Sequence, residues 1–284
     1  MGRPYPVAAS SVLELALIGP PRSATVIATT PHAVYLEVAD PARTVLCLAS
    51  ASAVLVPCAL VLGPRTFPAQ APPGTPVRVG EGHVSIHMNE SYRVQRWWRP
   101  PSPRGLGAVP PARLAATVRW LTGQVADPLD PGGRAAVADL VNALGAGTRP
   151  DTPVARLLGR GPGLTPTGDD VLAGALVTLR ALGSPAAAPL ALAVRSKAPG
   201  TTTAVSAALL RHAVEGRCIP QLADLLTAVP EGSGALARAA GALLAVGHCS
   251  GAGLLHGVLV AMAIAHARLA REVVQLPASS PVAA

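Results

Sequence analysis

Aromatic side chains are scarce in this sequence. Phe, Trp and Tyr make up 2% of its 284 residues, so a core must be built from aliphatic side chains packed closely. That scarcity also removes the aromatics that nucleic-acid-binding surfaces interleave with a basic stripe. Lysine is almost absent: Lys197 stands alone, and arginine supplies the other 22 of the 23 basic residues. The arginines are scattered. The formal charge of +8 therefore fits an anionic small molecule, an acidic partner or no partner equally well, and no nucleic-acid partner is expected. Cysteine is sparse too. Cys47, Cys58, Cys218 and Cys249 form no Cys-x-x-Cys pair, and a chain of this length needs no staples, which leaves reduced thiols. The opening MGRPYPVAAS has no apolar signal-peptide core. The longest apolar stretch, Gly253 to Ala265, is interrupted by His256 and too short to span a bilayer. A cytoplasmic protein without a membrane partner is expected.

Half of the residues are hydrophobic, enough for a sizeable core in one large domain or two small ones. The composition divides the chain. Val34–Val38, Thr44–Leu48 and Val54–Leu62 are short apolar runs separated by Pro41, Gly63-Pro64 and Pro72-Pro73-Gly74, which read as strands. His83 to Met88 alternates, with Val84, Ile86 and Met88 on one face. His83 and His87 would lie about 13 Å apart along such a strand, too far to share one metal ion. Trp97-Trp98-Arg99 followed by Pro100-Pro101-Ser102-Pro103 marks a boundary. The tryptophans there suit a plug between domains better than a ligand pocket.

Beyond Pro110 the pattern is helical. Helices are expected over Ala112–Gln124, Gly133–Leu144, Ser184–Lys197, Thr201–Gly216, Ile219–Val229 and Ala235–Val246, with a short one opening at Thr152-Pro153 and a last one from Ser250. The fold class is α+β: a β-rich N-terminal domain over residues 1–104, then a mostly α-helical C-terminal domain over 105–284 with a buried central helix pair. That pair follows from small residues. Gly253, Gly257, Ala261 and Ala265 recur every four positions, and Gly174 and Thr178 offer a similar ridge, so the two helices can approach closely. Their packing would bring the turn at Gly247–Gly251 near the turn at Gly161–Gly168.

The chemistry concentrates between Gly159 and Gly174, GRGPGLTPTGDDVLAG. Gly161 and Gly163 flank Pro162 and force a sharp turn. Thr167 stands three residues before Asp170, the spacing of a capping box, which predicts a helix from Thr167 to about Leu182. Asp169 and Asp170 then lie in its first turn, where the helix dipole favours ionised acids. A glycine-rich turn feeding a helix start also suits a phosphate or carboxylate, although two fixed carboxylates repel an anion unless a cation intervenes. No Lys-Ser/Thr follows the glycines, so this is not a P-loop. The plainer reading is that Asp170 caps its helix and Asp169 answers the dipole. Further on, Thr201–Thr203 and Ser206 either cap a helix or bind a carboxylate or ureido group. His248-Cys249-Ser250 is not a Gly-x-Ser-x-Gly elbow, which leaves Ser250 as a cap and His248 as a polar ligand contact.

The run Gly161–Gly174 resembles the signature of a bacterial family that includes the AllH-like subunit of oxamate carbamoyltransferase, from anaerobic allantoin breakdown. Thr201-Thr202-Thr203 with Ser206, and Gly247–Gly251 followed by Leu254 and Gly257, fit the same pattern. The resemblance covers the C-terminal half. It departs near Gly253, where similar proteins often carry an acid. It implies a subunit that transfers a carbamoyl group between oxamate or oxalurate and phosphate, working with partner subunits on an anionic ligand such as carbamoyl phosphate. Asp169 and Asp170 are then the candidate catalytic residues, and also the candidate ligands if Mg²⁺ takes part. Arg160 would pair with an anionic group, and the N–H groups of Gly161, Gly163 and Gly168 would cradle phosphate or carbonyl oxygen. Thr165, Thr167, Thr203, Ser206, His248 and Ser250 complete the candidate binding set. Two alternatives stand beside this reading: a non-catalytic ligand-binding or scaffold subunit, and a Mg²⁺-dependent phosphotransferase.

Overall fold

The computed structural model describes residues 4–64, 66, 70–86 and 90–275. Eight strands precede the main helices: β1 (Tyr5–Ser10), β2 (Arg22–Thr30), β3 (Ala33–Val38), β4 (Val45–Ala49), β5 (Ala59–Leu62), β6 (Pro76–Gly80), β7 (His83–Ile86) and β8 (Glu90–Trp98). They close into a barrel in the order β1-β5-β4-β3-β2-β6-β7-β8. This corrects the α+β expectation of a merely β-rich N-terminal part. The closing contact is parallel, β1 against β8, with Tyr5 opposite Tyr92 and Ser10 opposite Trp98. A second parallel pair joins β4 and β5. Closure leaves no free sheet edge. It could not be read from local pattern, because the first and last strands are paired across some 80 residues of intervening chain.

Alternation decides the interior of the barrel. On β2, Ala24, Val26 and Ala28 are buried while Ser23 and Thr25 face out; on β3, Val34, Leu36 and Val38 are buried. The β4 residues Val45–Ala49 are buried on both faces. The outward side of β4 is covered by a helix, α7 (Ala204–Val214), whose Arg211 guanidinium donates to the Arg43 carbonyl at 3.1 Å. The expected strand Val54–Leu62 forms only over Ala59–Leu62. The strand expected over His83–Met88 is seen as His83–Ile86; His87 and Met88 lie outside the described residues. Trp97 and Trp98 are the last two residues of β8.

A short helix, α1 (Glu14–Ile18), sits between β1 and β2. After β8 come α2 (Pro111–Thr122), α3 (Pro131–Gly145), α4 (Asp151–Leu157), α5 (Thr167–Ala181), α6 (Ala187–Lys197), α7, α8 (Pro220–Ala228), α9 (Ser233–Leu244) and α10 (Ser250–Gln275). Helix α5 is the axis of this part: of its 15 residues only Ala173 and Arg180 escape full burial. Its main partner is α10. The glycines at the crossing are required by sterics, because a Cβ on Gly174 would strike the Leu254 carbonyl and one on Gly257 the Val171 carbonyl. Backbone against backbone is the closest contact two helices can make, and here it fixes the relative height of the α5 and α10 N-termini.

Helix α10 is longer than the apolar run that announced it. Its Ser250–Leu269 segment has the length and composition to cross a membrane, which corrects the expectation from Gly253–Ala265. About half of that segment is buried against α5, α3 and α9 within the fold. Cys47, Cys58, Cys218 and Cys249 are free thiols, the first three buried.

Candidate functional site at the barrel–helix junction

The N-terminus of α5 is where the strands, the glycine turn and α10 converge. The chain reaches it through Gly159 and Gly161, both with positive φ (+70° and +112°). The second is confined by packing: a Cβ on Gly161 would stand 2.8 Å from the Thr167 nitrogen. Pro166 takes the N-cap position of α5 without a side-chain cap. The Thr167–Asp170 capping box therefore does not form. The Thr167 hydroxyl instead turns to the Cys249 sulfur at 3.7 Å.

The two neighbouring aspartates part company here. Asp169 is saturated by the protein. Its Oδ1 accepts from the Gly159 N–H at 2.9 Å, and its Oδ2 accepts from the Ser206 hydroxyl at 2.7 Å and from the Thr202 hydroxyl. Burial pushes its pKa up, and these three donors oppose the rise. Thr202, Thr203 and Ser206 thus spend their hydroxyls inside the protein, while Thr201 is exposed. Thr203 donates to the Leu164 carbonyl at 2.6 Å and caps α7 by accepting from the Ser206 N–H at 3.0 Å.

Asp170 faces the other way. It is 8% exposed, and its Oδ2 has no hydrogen-bond partner. Burial raises its pKa to about 8; the Ser250 hydroxyl opposes the rise and the charge of Asp169 adds to it. The carboxyl is consequently protonated at neutral pH. Gly253 is the neighbour that makes room for it: a Cβ there would lie 2.8 Å from the Asp170 Cβ. The space near Gly253 is thus filled by Asp170 itself, which accounts for glycine rather than an acid at that point.

Asp170 opens onto a cavity of about 270 Å³ between the barrel and the helices. Its barrel wall is Tyr35 of β3 with Val54, Val56 and Pro57, the part of the apolar run that leaves the sheet before β5. Its helical wall is mostly aliphatic, with Val177, Leu222 and Leu254, and Leu164 of the turn before α5 adjoins it. Thr165 and Ser250, whose hydroxyls lie 2.9 Å apart, bring polarity next to Asp170. Arg217, in the turn after α7, is the single cation among the described lining residues. The volume is slightly below the usual range for drug-sized ligands and suits a metabolite of a few heavy atoms.

The other sequence candidates lie elsewhere. Arg160 forms a bidentate pair with Asp130 at 2.6 and 2.7 Å, and that pair holds the Asp130 carboxyl down at about 2. The Gly168 N–H donates to the Arg160 carbonyl at 2.8 Å, so it is unavailable to a phosphate. Gly163 has open space around it. His248 is exposed and outside the cavity lining, although the adjoining Gly247 belongs to it. The donor set does not fit a magnesium ion clamped between the aspartates. Asp169 already has both oxygens engaged, and among the described residues no third His, Cys, Asp or Glu joins the pair to complete a set of ligands. Tyr35, Val54–Pro57 and Arg217 are site residues that no motif in the sequence marks. A lone arginine among 22 carries no local signal, and a strand's outward face becomes a wall only when α7 and α8 are packed beside it.

The chain is therefore a barrel joined to a helical unit, with a partly open pocket at the junction and a buried carboxyl beside it. Residues 157–262 match the family described as oxamate carbamoyltransferase subunit AllH. The match runs from the end of α4 into α10 and takes in both aspartates, Arg217 and Ser250, while the barrel lies outside it. No curated protein and no solved structure matches the chain.

Proposed function

We propose that the chain is a subunit of a carbamoyl-transferring enzyme and that its substrate occupies the cavity beside Asp170. The reaction is transfer of a carbamoyl group between phosphate and oxamate: oxalurate and phosphate give oxamate and carbamoyl phosphate, and the reverse. One observation carries the reading. A buried carboxyl with an unpartnered oxygen, bordering a mostly aliphatic pocket, is costly to keep unless a ligand satisfies it. A protonated Asp170 suits this chemistry. In phosphorolysis the carbamoyl C–N bond breaks and the departing nitrogen needs a proton, which a neutral carboxyl can give; in synthesis the same group takes it back. The Thr165 and Ser250 hydroxyls stand ready to orient the amide. Asp169 acts as a positioning residue, since it ties the loop before α5 to α7. The acid work falls to one aspartate, with no metal between the pair.

A second reading is favoured by the aliphatic lining: a subunit that binds the ligand and leaves part of the chemistry to partner subunits. Activity of the chain with and without its partners separates the two. Binding tests what they share. Saturating ligand at 100-fold its dissociation constant adds ~2.7 kcal/mol to stability, so oxalurate, oxamate and carbamoyl phosphate are compared in a thermal-shift series on the native chain and on Asp170→Asn. A shift in the native chain that shrinks in the variant supports the assignment. An equal shift in both places the ligand away from Asp170 and overturns it.

A further inference from the structure

The cavity beside Asp170 needs a means of holding a negatively charged ligand, and the arginine singled out by the sequence cannot supply it. Arg160 is committed to Asp130 through two hydrogen bonds. Arg217 is differently placed. It follows Gly216, whose φ of +78° turns the chain out of α7, and its own N–H is fixed on the His212 carbonyl at 2.9 Å. The adjacent acid in sequence, Glu215, is paired with Arg195. Among the described residues the Arg217 guanidinium shows no ion-pair or side-chain hydrogen-bond partner, and the half-buried residue borders two cavities, the one beside Asp170 and a second of about 320 Å³ that His212 and Glu215 also line. Its charge is felt nearby: burial first, then Arg217 and Arg211, hold the His212 pKa down to about 4. The titratable groups facing the cavity are Tyr35, Asp170, Arg217 and Cys218, and burial raises the pKa of each of the other three. At neutral pH the pocket thus presents one positive charge and no fixed negative charge.

We propose that Arg217 is the anion anchor of this cavity: it takes the carboxylate of a short amide-bearing acid whose amide end meets Asp170. The inference rests on the cavity being the ligand site proposed above. It specifies the ligand class as a small monoanion with a neutral amide or ureido end, because the pocket pairs one cation with one neutral hydrogen-bonding carboxyl across an aliphatic floor. A guanidinium can bind a carboxylate through two parallel N–H···O bonds.

The probes are oxamate and oxamide, which differ only in replacing the carboxylate by a neutral amide. Calorimetric titrations are run on the full native chain and on Arg217→Gln, Arg217→Lys and Asp170→Asn. The native chain should prefer oxamate by about tenfold or more, as a charge-assisted hydrogen bond implies. R217Q should abolish that preference by weakening oxamate while leaving oxamide unchanged. R217K, which keeps the charge, should retain part of it and shows that the loss is not one of folding. Unchanged oxamate binding in R217Q, with D170N weakened, overturns the anchor and leaves the cavity assignment standing. Oxamate binding indifferent to both positions, or no binding of oxamate at millimolar concentration, overturns both.

Discussion

Asp169 and Asp170 are neighbours in sequence and strangers in environment. The side of α5 that carries Asp169 is closed: three donors from two other segments converge on one carboxylate. The side that carries Asp170 is open to a cavity, and an oxygen there is left without a partner. Successive helical residues are turned by about 100°, so one face can be sealed by α7 while the next meets the barrel. The difference teaches that paired acids need not share one task. The saturated one holds the scaffold, and the orphaned one is available for chemistry.

The comparison breaks most visibly at Asp169. Asp169→Ala leaves the Gly159 N–H and the Thr202 and Ser206 hydroxyls without their acceptor. The Ser206 donor is buried and the other two partly buried; a buried donor left unmade costs ~1–3 kcal/mol, so urea denaturation should show a loss of ~3 kcal/mol or more across the three. A loss no larger than a surface substitution gives would remove the distinction between the two sides. Next comes Gly253→Ala. Its methyl would press on the Asp170 Cβ at 2.8 Å, and overpacking of this kind costs ~1–3 kcal/mol. Ligand binding should fall with stability in this variant.

Asp170→Asn sharpens the contrast through pH. The folded-state pKa of about 8 lies above the unfolded value of ~3.9. Between those values the native chain holds a proton that the unfolded chain has released, so this carboxyl's contribution to stability is full below pH ~4 and is lost as pH rises through about 8. The variant should flatten that part of the profile and be the more stable of the two at pH 8.5, as seen in thermal melts across the range. A native profile that rises over the same window would place a charged, satisfied carboxylate at 170. The smallest effect belongs to Arg160→Gln. Its pair with Asp130 is solvent-exposed, so the denaturation midpoint and the oxamate titration should both stay where they are in the native chain. A clear loss of oxamate affinity would return Arg160 to the binding site.

Several features were legible because they are local. Helix α5 starts at Thr167, where the Thr167–Asp170 spacing puts it, although the capping box itself does not form. The α5–α10 crossing follows from Gly174 and Gly257, since small residues at four-residue spacing leave only one close approach. That crossing brings Ser250 within 2.9 Å of Thr165. The threonine run was legible as chemistry but not as to its object: the Thr202 and Thr203 hydroxyls serve Asp169 and the Leu164 carbonyl.

By itself the sequence determined where the turns fall, which residues carry acid and hydroxyl groups, and which helices can touch, because propensity, spacing and side-chain size act within a few residues. Only the tertiary structure decided that the strands close into a barrel, that Asp170 rather than Asp169 faces the cavity, and that Arg217 rather than Arg160 borders it. Those outcomes depend on pairings between segments tens of residues apart, and on which face of α5 each partner covers. The free energies that choose among them come from burial and from satisfied hydrogen bonds in the assembled fold, which no single stretch of chain contains.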